Sequence, residues 1–237
     1  MDIELEKLET AAVESANNRY LMSVSDNLKN FSPEAYQTFY SNVATWLEPT
    51  KIRLQVGLER LKSEKSPKLD PVISALEHNI LDESGEGGEV KSDPHANLFN
   101  TSCHTYFKHV YGVPLGFYTP SVETLHLKDA SLLLFSNNSY EMLGACFAQE
   151  VHALPQLQRM YRGHLANREK CKDDWGLVSR FYDVHFDGTE ARHAEDLRQT
   201  FIDLLKTPAQ LTVFKSGFIS MICLLTQFWK SLELRTA

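Results

Sequence analysis

An all-α protein is predicted by three features of this 237-residue sequence. Apolar residues recur at three- and four-residue spacing, as at Phe39, Val43, Trp46 and Leu47 or Leu197, Phe201, Leu204 and Leu205, which is the period of a helix with one buried face. Alternating apolar and polar runs bounded by turn residues are scarce. Proline-led starts and glycine stops punctuate the chain at helical lengths.

The elements follow in order. Met1-Asp2-Ile3-Glu4-Leu5-Glu6 is acidic and helical in pattern, not basic then apolar, so no secretory or transit signal is predicted and a cytoplasmic location is expected. Ser32-Pro33-Glu34 reads as an N-cap with proline at the first helical position; Pro49 should kink that helix before it continues to about Lys62. Ser66-Pro67 restarts the chain, and a helix from about Leu69 to Glu83 ends in Ser84-Gly85-Glu86-Gly87-Gly88. Asp93-Pro94 caps the next, which Gly112 stops. Further helices are predicted over Ser121 to Asn137, over Ser139 to about Ala166 with a bend at Pro155, and over Asp173 to Lys206 with an interruption at Asp187-Gly188-Thr189. Pro208 precedes a final apolar helix, whose stretch from Leu211 to Trp229 is interrupted by Lys215, Ser216 and Gln227 and reads as buried, not as membrane-spanning.

Composition narrows the function classes. The chain is 43% hydrophobic and 23% charged, with no Gly/Ser/Pro-rich linker, which predicts one domain over residues 1–237. Lys and Arg total 24 against 31 Asp and Glu, giving a net charge of −7 and no basic stripe, so a nucleic-acid partner is excluded. Cys103, Cys146, Cys171 and Cys223 are far apart and contain no C-x-x-C pair, which predicts reduced, mostly buried thiols. The Gly85-Glu86-Gly87-Gly88 cluster follows a helix and lacks the Lys-Ser/Thr ending of a phosphate loop.

Nine histidines are present, and three groups stand near carboxylates. The first is Asn79-Ile80-Leu81-Asp82-Glu83, with His95 beyond the glycine-rich loop. The second is Glu150, within the apolar segment Leu143 to His152, where a carboxylate is costly to bury unless a cation compensates it. The third is Phe181-Tyr182-Asp183-Val184-His185-Phe186-Asp187-Gly188-Thr189-Glu190-Ala191-Arg192-His193. Glu190 and His193 are an i, i+3 pair on one helix face, the geometry of a Glu-x-x-His iron chelate. On a regular helix His185 would be turned roughly 140° from Glu190. A helix break or π-type turn near Asp187-Gly188-Thr189 is therefore predicted, letting His185, Glu190 and His193 converge.

This arrangement resembles the haem-oxygenase-like dimetal oxidase family, named for its fold and not for haem. In that family one helix supplies Glu from an Asn-x-x-Asp-Glu-x-Gly motif with a His shortly after. A second supplies Glu before a proline, and a third supplies His, Asp or Glu, and His. Glu83, His95, Glu150 with Pro155 downstream, His185, Glu190 and His193 match in order. The Glu83 to His95 gap and the His185 to Glu190 spacing are longer than usual, leaving Asp187 as the alternative to Glu190 and His152 as the alternative to His95. The resemblance implies a haem-oxygenase-like bundle of about seven core helices holding two iron ions, with O2 as co-substrate and Glu150 as the bridging, catalytic carboxylate. The acidic charge and the Thr189-Glu190 variant further resemble a cyanobacterial branch with a nitrile-forming member in aetokthonotoxin biosynthesis. That likeness implies oxidation of an amino acid, a (brominated) tryptophan, to an indole-3-carbonitrile.

Three carboxylates and three imidazoles suit ferrous or manganous ions and leave a formal charge of about +1 around two divalent ions, attractive to a substrate carboxylate. Phe107, Tyr111, Phe181 and Tyr182 lie within a few turns of the ligands and are candidates for stacking an indole. Arg180 and Arg192 are candidates for its carboxylate. The exposed-looking apolar face of the first helix is the one hint of a homodimer. Oxidation of another amino acid or of a fatty acid, and a non-catalytic helical binding protein, stand as alternatives. A haem oxygenase would need an axial histidine in its first helix, whereas the first histidine here is His78. A thiaminase-like enzyme would use a cysteine nucleophile, for which Cys146 is the candidate near the site.

Overall fold

The computed structural model describes residues 2–87 and 92–236, and the side chains of these except Glu190 and residues 234–236. The described residues form twelve α-helices and no strand: α1 Asp2–Ser15, α2 Arg19–Asn27, α3 Pro33–Leu47, α4 Thr50–Ser63, α5 Asp70–Glu83, α6 His95–Tyr111, α7 Val122–Ser136, α8 Ser139–Leu165, α9 Arg168–Cys171, α10 Trp175–Phe186, α11 Thr189–Leu204 and α12 Pro208–Thr236.

The cap at Ser32 lies where the sequence placed it, whereas Asp93 does not cap α6, whose N-cap residue is Pro94 with no side-chain acceptor on its open N–H groups. Ser32 accepts from the Ala35 N–H at 3.1 Å and Ser121 from the Thr124 N–H at 3.1 Å, each satisfying a donor at the open end of its helix. Asn18 does the same for Leu21 at 2.9 Å. Pro49 separates α3 from α4 instead of kinking one helix, because its ring cannot supply the N–H that continuity needs. Gly112 ends α6 in the left-handed conformation at φ 73°. The interruption near Asp187 is a full break: Gly188 takes φ 103° and α11 starts afresh. The Asp187 carboxylate caps the new helix, accepting from the Thr189 N–H at 3.0 Å and the Thr189 hydroxyl at 2.6 Å.

α8 runs through the centre, packed by α1, α2, α4, α7, α10, α11 and α12. Its contact with α12 is the most intimate, and two glycines set it. A Cβ on Gly144 would lie 1.9 Å from the Phe214 carbonyl oxygen, and one on Gly217 1.8 Å from that of Glu141. The close approach lets α12 press Phe214, Phe218, Met221, Leu225, Phe228, Trp229 and Leu232 into the core, each contributing about 1.5–3 kcal/mol by burial. α12 is long and apolar enough to cross a bilayer by length and composition, yet this stripe serves the interior of the bundle. Leu5, Leu8 and Ala12 of α1 are likewise buried in the chain's own core, while Ile3 and Val13 of that helix stay exposed. Pro155 is accommodated inside α8, just past Glu150.

Candidate metal centre

Four helices converge on one end of the α8 midsection. Glu83 is the last residue of α5, His95 the first of α6, Glu150 lies within α8, His185 near the end of α10 and His193 in α11. The end of α5 is closed by a left-handed glycine. The Gly85 N–H donates to the Asp82 carbonyl at 2.8 Å and the Glu86 N–H to the Leu81 carbonyl at 2.9 Å, with Gly85 at φ 74°, the paired bonds of a Schellman stop. The Ser92 N–H then returns to the Gly85 carbonyl at 2.9 Å. This bond closes the long loop and sets His95 against Glu83 despite their separation in sequence.

The described ligand candidates form two carboxylate–imidazole pairs. His95 Nδ1 lies 3.6 Å from Glu83 Oε1, and His193 Nδ1 lies 3.6 Å from Glu150 Oε2. The His95 and His185 rings are 4.3 Å apart, which ties the first pair to α10. His95, Glu150, His185 and His193 are all buried. Glu190 stands in the first turn of α11, and its side chain lies outside the described residues. Among the described residues no three His, Cys, Asp or Glu side chains close around a common point.

The protonation pattern is set from outside the cluster. His193 Nε2 lies 2.7 Å from Asp82 Oδ2, so Nε2–H donates to the carboxylate and Nδ1 is the nitrogen turned to Glu150. His185 Nδ1 donates to the Phe181 carbonyl, which makes Nε2 its unprotonated nitrogen. Burial, with His95 beside it, lowers the His185 pKa to about 4. Burial pushes the Glu83 carboxyl up, but His95 beside it, with His185 and His193, outweighs this and holds Glu83 below the usual range. Its position at the C-terminal end of α5 opposes the helix dipole, an electrostatic cost a cation would relieve.

The donor set fits a first-row metal. Nδ1 of His95 is buried with no hydrogen-bond partner, and an orphaned nitrogen at such a depth costs about 1–3 kcal/mol unless something is bound. His193 Nδ1 faces the Glu150 carboxylate across 3.6 Å. That gap is wider than a hydrogen bond and close to the spacing of two donors around one ion with bonds of ~2.1 Å. Imidazoles whose second nitrogen is fixed by a carboxylate or a backbone carbonyl are the rule at metal sites.

Beside these residues lies a cavity whose walls include Trp46, Leu47, Leu157, Phe181 and Leu225, with Thr50, Gln149, Gln156 and His152 as polar members and Glu83, His95, Glu150 and His185 at one end. Of the aromatic residues singled out from sequence, Phe181 lines it. Phe107 and Tyr111 pack instead around Tyr36, and the Tyr182 hydroxyl lies 3.0 Å from His164 Nδ1, in an aromatic cluster behind α10. Arg180 is exposed; Arg192, also exposed, bonds the Thr189 hydroxyl at 3.1 Å and approaches Asp82 at 3.9 Å. His152 has both nitrogens engaged: Trp229 Nε1–H donates to Nε2 at 3.2 Å and Ser15 Oγ lies 2.9 Å from Nδ1. Asp187 spends its carboxylate on the α11 cap.

Two contributors were not singled out from sequence. Asp82 was quoted only as part of a motif, although it orients His193. Arg53 is fully buried beside the cavity, and its signal was legible: it shares an apolar helical stripe with Thr50, Leu54, Gly57, Leu58 and Leu61.

A family model described as a domain of unknown function with solved structure, DUF3865, matches residues 26–235. The chain belongs to the DUF3865 family. Among solved structures, this DUF3865 chain is similar to a CADD-like protein of unknown function from Nostoc punctiforme PCC 73102, at 20% identity and TM-score 0.71, covering 99% of both chains. A second structure of that protein gives 18% identity and TM-score 0.70, covering 99% of this chain and 96% of the other. A domain of unknown function with a haem-oxygenase-like fold from Shewanella denitrificans OS217 matches at 14% identity and TM-score 0.66, over 98% of this chain and 92% of that one. No curated protein matches the chain. The DUF3865 chain thus has the all-α, haem-oxygenase-like fold.

Proposed function

We propose that the chain is an O2-dependent non-haem dimetal oxidase. Glu83, His95, Glu150, His185, Glu190 and His193 would hold two iron ions, beside a cavity that takes a small amino-acid substrate. The observation that supports this reading is the pair of 3.6 Å carboxylate–imidazole gaps, a spacing at which two donors can share one cation. Bound ferrous iron supplies the electrons that reduce dioxygen and so the oxidising power used on a substrate C–H or N–H bond.

The chain's own residues divide the remaining work. Glu150, on the central helix, would be the carboxylate shared by the two ions. Glu83 is held below the usual carboxylate range, His95 being the main cause that lowers it, and His185 is kept neutral by burial, so both are in the protonation state that binds a cation. Asp82 holds the His193 ring so that Nδ1 faces Glu150. Leu157, Phe181 and Leu225 keep the adjoining space apolar and water-poor. Phe181 and Trp46 offer flat faces suited to an indole, which favours a tryptophan, brominated or not, and conversion to the indole-3-carbonitrile as the specific reaction. Haem is disfavoured because α1–α4 contain no histidine to serve as axial ligand.

Metal content and dioxygen uptake of anaerobically purified, iron-reconstituted protein test the reading. About two irons per chain, with uptake triggered by tryptophan or a halogenated tryptophan, are expected. Glu150→Ala and His193→Ala should lose both. Two irons without triggered uptake would retain the site and discard the substrate. Failure to bind iron overturns the oxidase and leaves a helical binding protein as the better account.

A further inference from the structure

Arg53 projects from α4 into the interior and is 0% exposed. Its guanidinium lies 3.8 Å over the Trp46 ring. It donates through Nη1 to the Trp46 carbonyl at 3.1 Å, through Nη2 to the Thr50 hydroxyl at 2.9 Å and through Nε to Gln149 Oε1 at 3.3 Å. All three acceptors are neutral. Burial lowers its pKa to about 9, with Glu83 and Glu150 pulling the other way, so the group is a cation at neutral pH. A buried cation satisfied only by neutral oxygens is an expensive feature to keep. It therefore calls for a use.

The use lies in what Arg53 does to its partners. Trp46, Thr50 and Gln149 all line the cavity. Because the Thr50 oxygen accepts from Arg53, its hydroxyl proton is available elsewhere. Because the Gln149 carbonyl oxygen accepts from Arg53, its NH2 group is turned away from the cation. Both side chains are then free to offer hydrogens, with a positive charge directly behind them, which is an arrangement that favours an anion. Two divalent ions with three carboxylates carry a formal charge of about +1, which Arg53 raises to about +2. An anionic ligand lowers both.

We propose that Arg53 is a positioning residue that makes Thr50 and Gln149 paired donors for the carboxylate of the ligand, so that the cavity selects carboxylic acids over their neutral analogues. The inference deepens the oxidase reading by naming the group recognised, and rests on it for the reactive end of the ligand. It places carboxylate recognition on α4 and α8, not on Arg180 or Arg192.

Calorimetric binding of L-tryptophan, decanoate and the carboxamide of each to the full-length protein, with and without iron, tests it. The acids should bind on the order of 10–100-fold more tightly than the amides, the range for a hydrogen-bonded charge. Gln149→Glu places a carboxylate against Arg53, forming an internal ion pair and removing a donor. This variant should melt no lower than the parent and keep its iron, yet lose the preference for acids. Thr50→Val should lose part of it. A Gln149→Glu protein that retains the preference, or a parent that binds no acid at millimolar concentration or binds acid and amide alike, overturns the proposal. Preference for acids, lost in Gln149→Glu, in a protein that takes up no iron would support Arg53 while refuting the oxidase. Iron-dependent oxygen uptake without acid preference would do the reverse.

Discussion

His193 Nε2 and Asp82 Oδ2 are 2.7 Å apart, and this bond determines which nitrogen of the ring meets Glu150. α5 and α11 are joined through it, so the carboxylate preceding Glu83 in sequence orients a ligand candidate on another helix. Asp82 is buried and is also 3.5 Å from His78 Nε2, which places it in a polar strip behind the site. Removing it leaves the His193 ring able to rotate and to take the wrong tautomer.

Asp82→Ala should therefore weaken iron binding about 10–100-fold, the usual effect of losing a group that orients a metal-bound histidine. Asp82→Asn, which keeps an acceptor without the charge, should weaken it less. Competition with a chromogenic iron chelator measures the affinity, and an unchanged far-ultraviolet circular dichroism spectrum separates this from unfolding. Equal iron affinity in all three proteins would show that Asp82 does not orient the ring.

Gly85 offers a separate handle on His95. At φ 74°, a Cβ there would lie 2.3 Å from the Ser92 carbonyl oxygen, so Gly85→Ala must strain the backbone and push the loop away. Left-handed geometry in an L-residue costs about 1–2 kcal/mol, and the displaced loop would carry His95 from Glu83. The expected result is a lower melting temperature together with reduced iron stoichiometry, read by thermal denaturation and elemental analysis. Gly112→Ala, also at positive φ but with open space around its Cβ position, should lower the melting temperature without touching iron content.

How far the sequence reached follows from which physics is local. The cap at Ser32, the helix start at Ser121, the stop at Gly112 and the break at Gly188 are written in adjacent residues, and they were legible. Glu83, His95, Glu150, His185 and His193 were legible as candidates in their order along the chain, though neither order nor spacing could show that His193 faces Glu150 or that the Gly85–Ser92 bond closes the long loop. The placement of Phe107, Tyr111 and Tyr182 was not legible, because aromatic residues a turn or two from a ligand can face either side of their helix. Here they pack around Tyr36 and His164, behind α10. Arg53 was passed over because a lone arginine reads as surface charge, although its place on an apolar stripe argued otherwise.

His164 in that aromatic cluster provides a pH signature independent of iron. Its Nδ1 donates to the Met160 carbonyl at 2.9 Å and its Nε2 is 2.7 Å from the Tyr36 hydroxyl. Burial lowers its pKa to about 4, against about 6.5 in an unfolded chain. Between these values the unfolded chain binds the extra proton, so this contribution to stability is complete above about pH 6.5 and is lost as pH falls toward 4. The slope for one histidine is about 1.4 kcal/mol per pH unit. Urea denaturation of the iron-free protein across this window should show it, and His164→Gln should reduce the slope by that amount, leaving the part due to His152 and His185, whose pKa values burial also lowers to about 4. An unchanged slope in the variant would mean that His164 titrates alike in both states.

The thiols discriminate between oxidase and nucleophile chemistry. Cys103, Cys146 and Cys171 are buried and Cys223 is exposed. Cys146, the one near the site, has its thiol pushed well above the ordinary value by burial and then by the charge of Glu150, which denies it the thiolate form a nucleophile needs. A thiol-specific reagent should therefore label Cys223 alone in the native protein and all four cysteines after denaturation. Alkylation of Cys223 should leave iron content and triggered oxygen uptake intact, and Cys146→Ala should keep both, since the thiol packs in the core without donating to the metal. Rapid native labelling of Cys146, or loss of turnover in Cys146→Ala with iron retained, would favour a cysteine-based reaction on this fold over the oxidase.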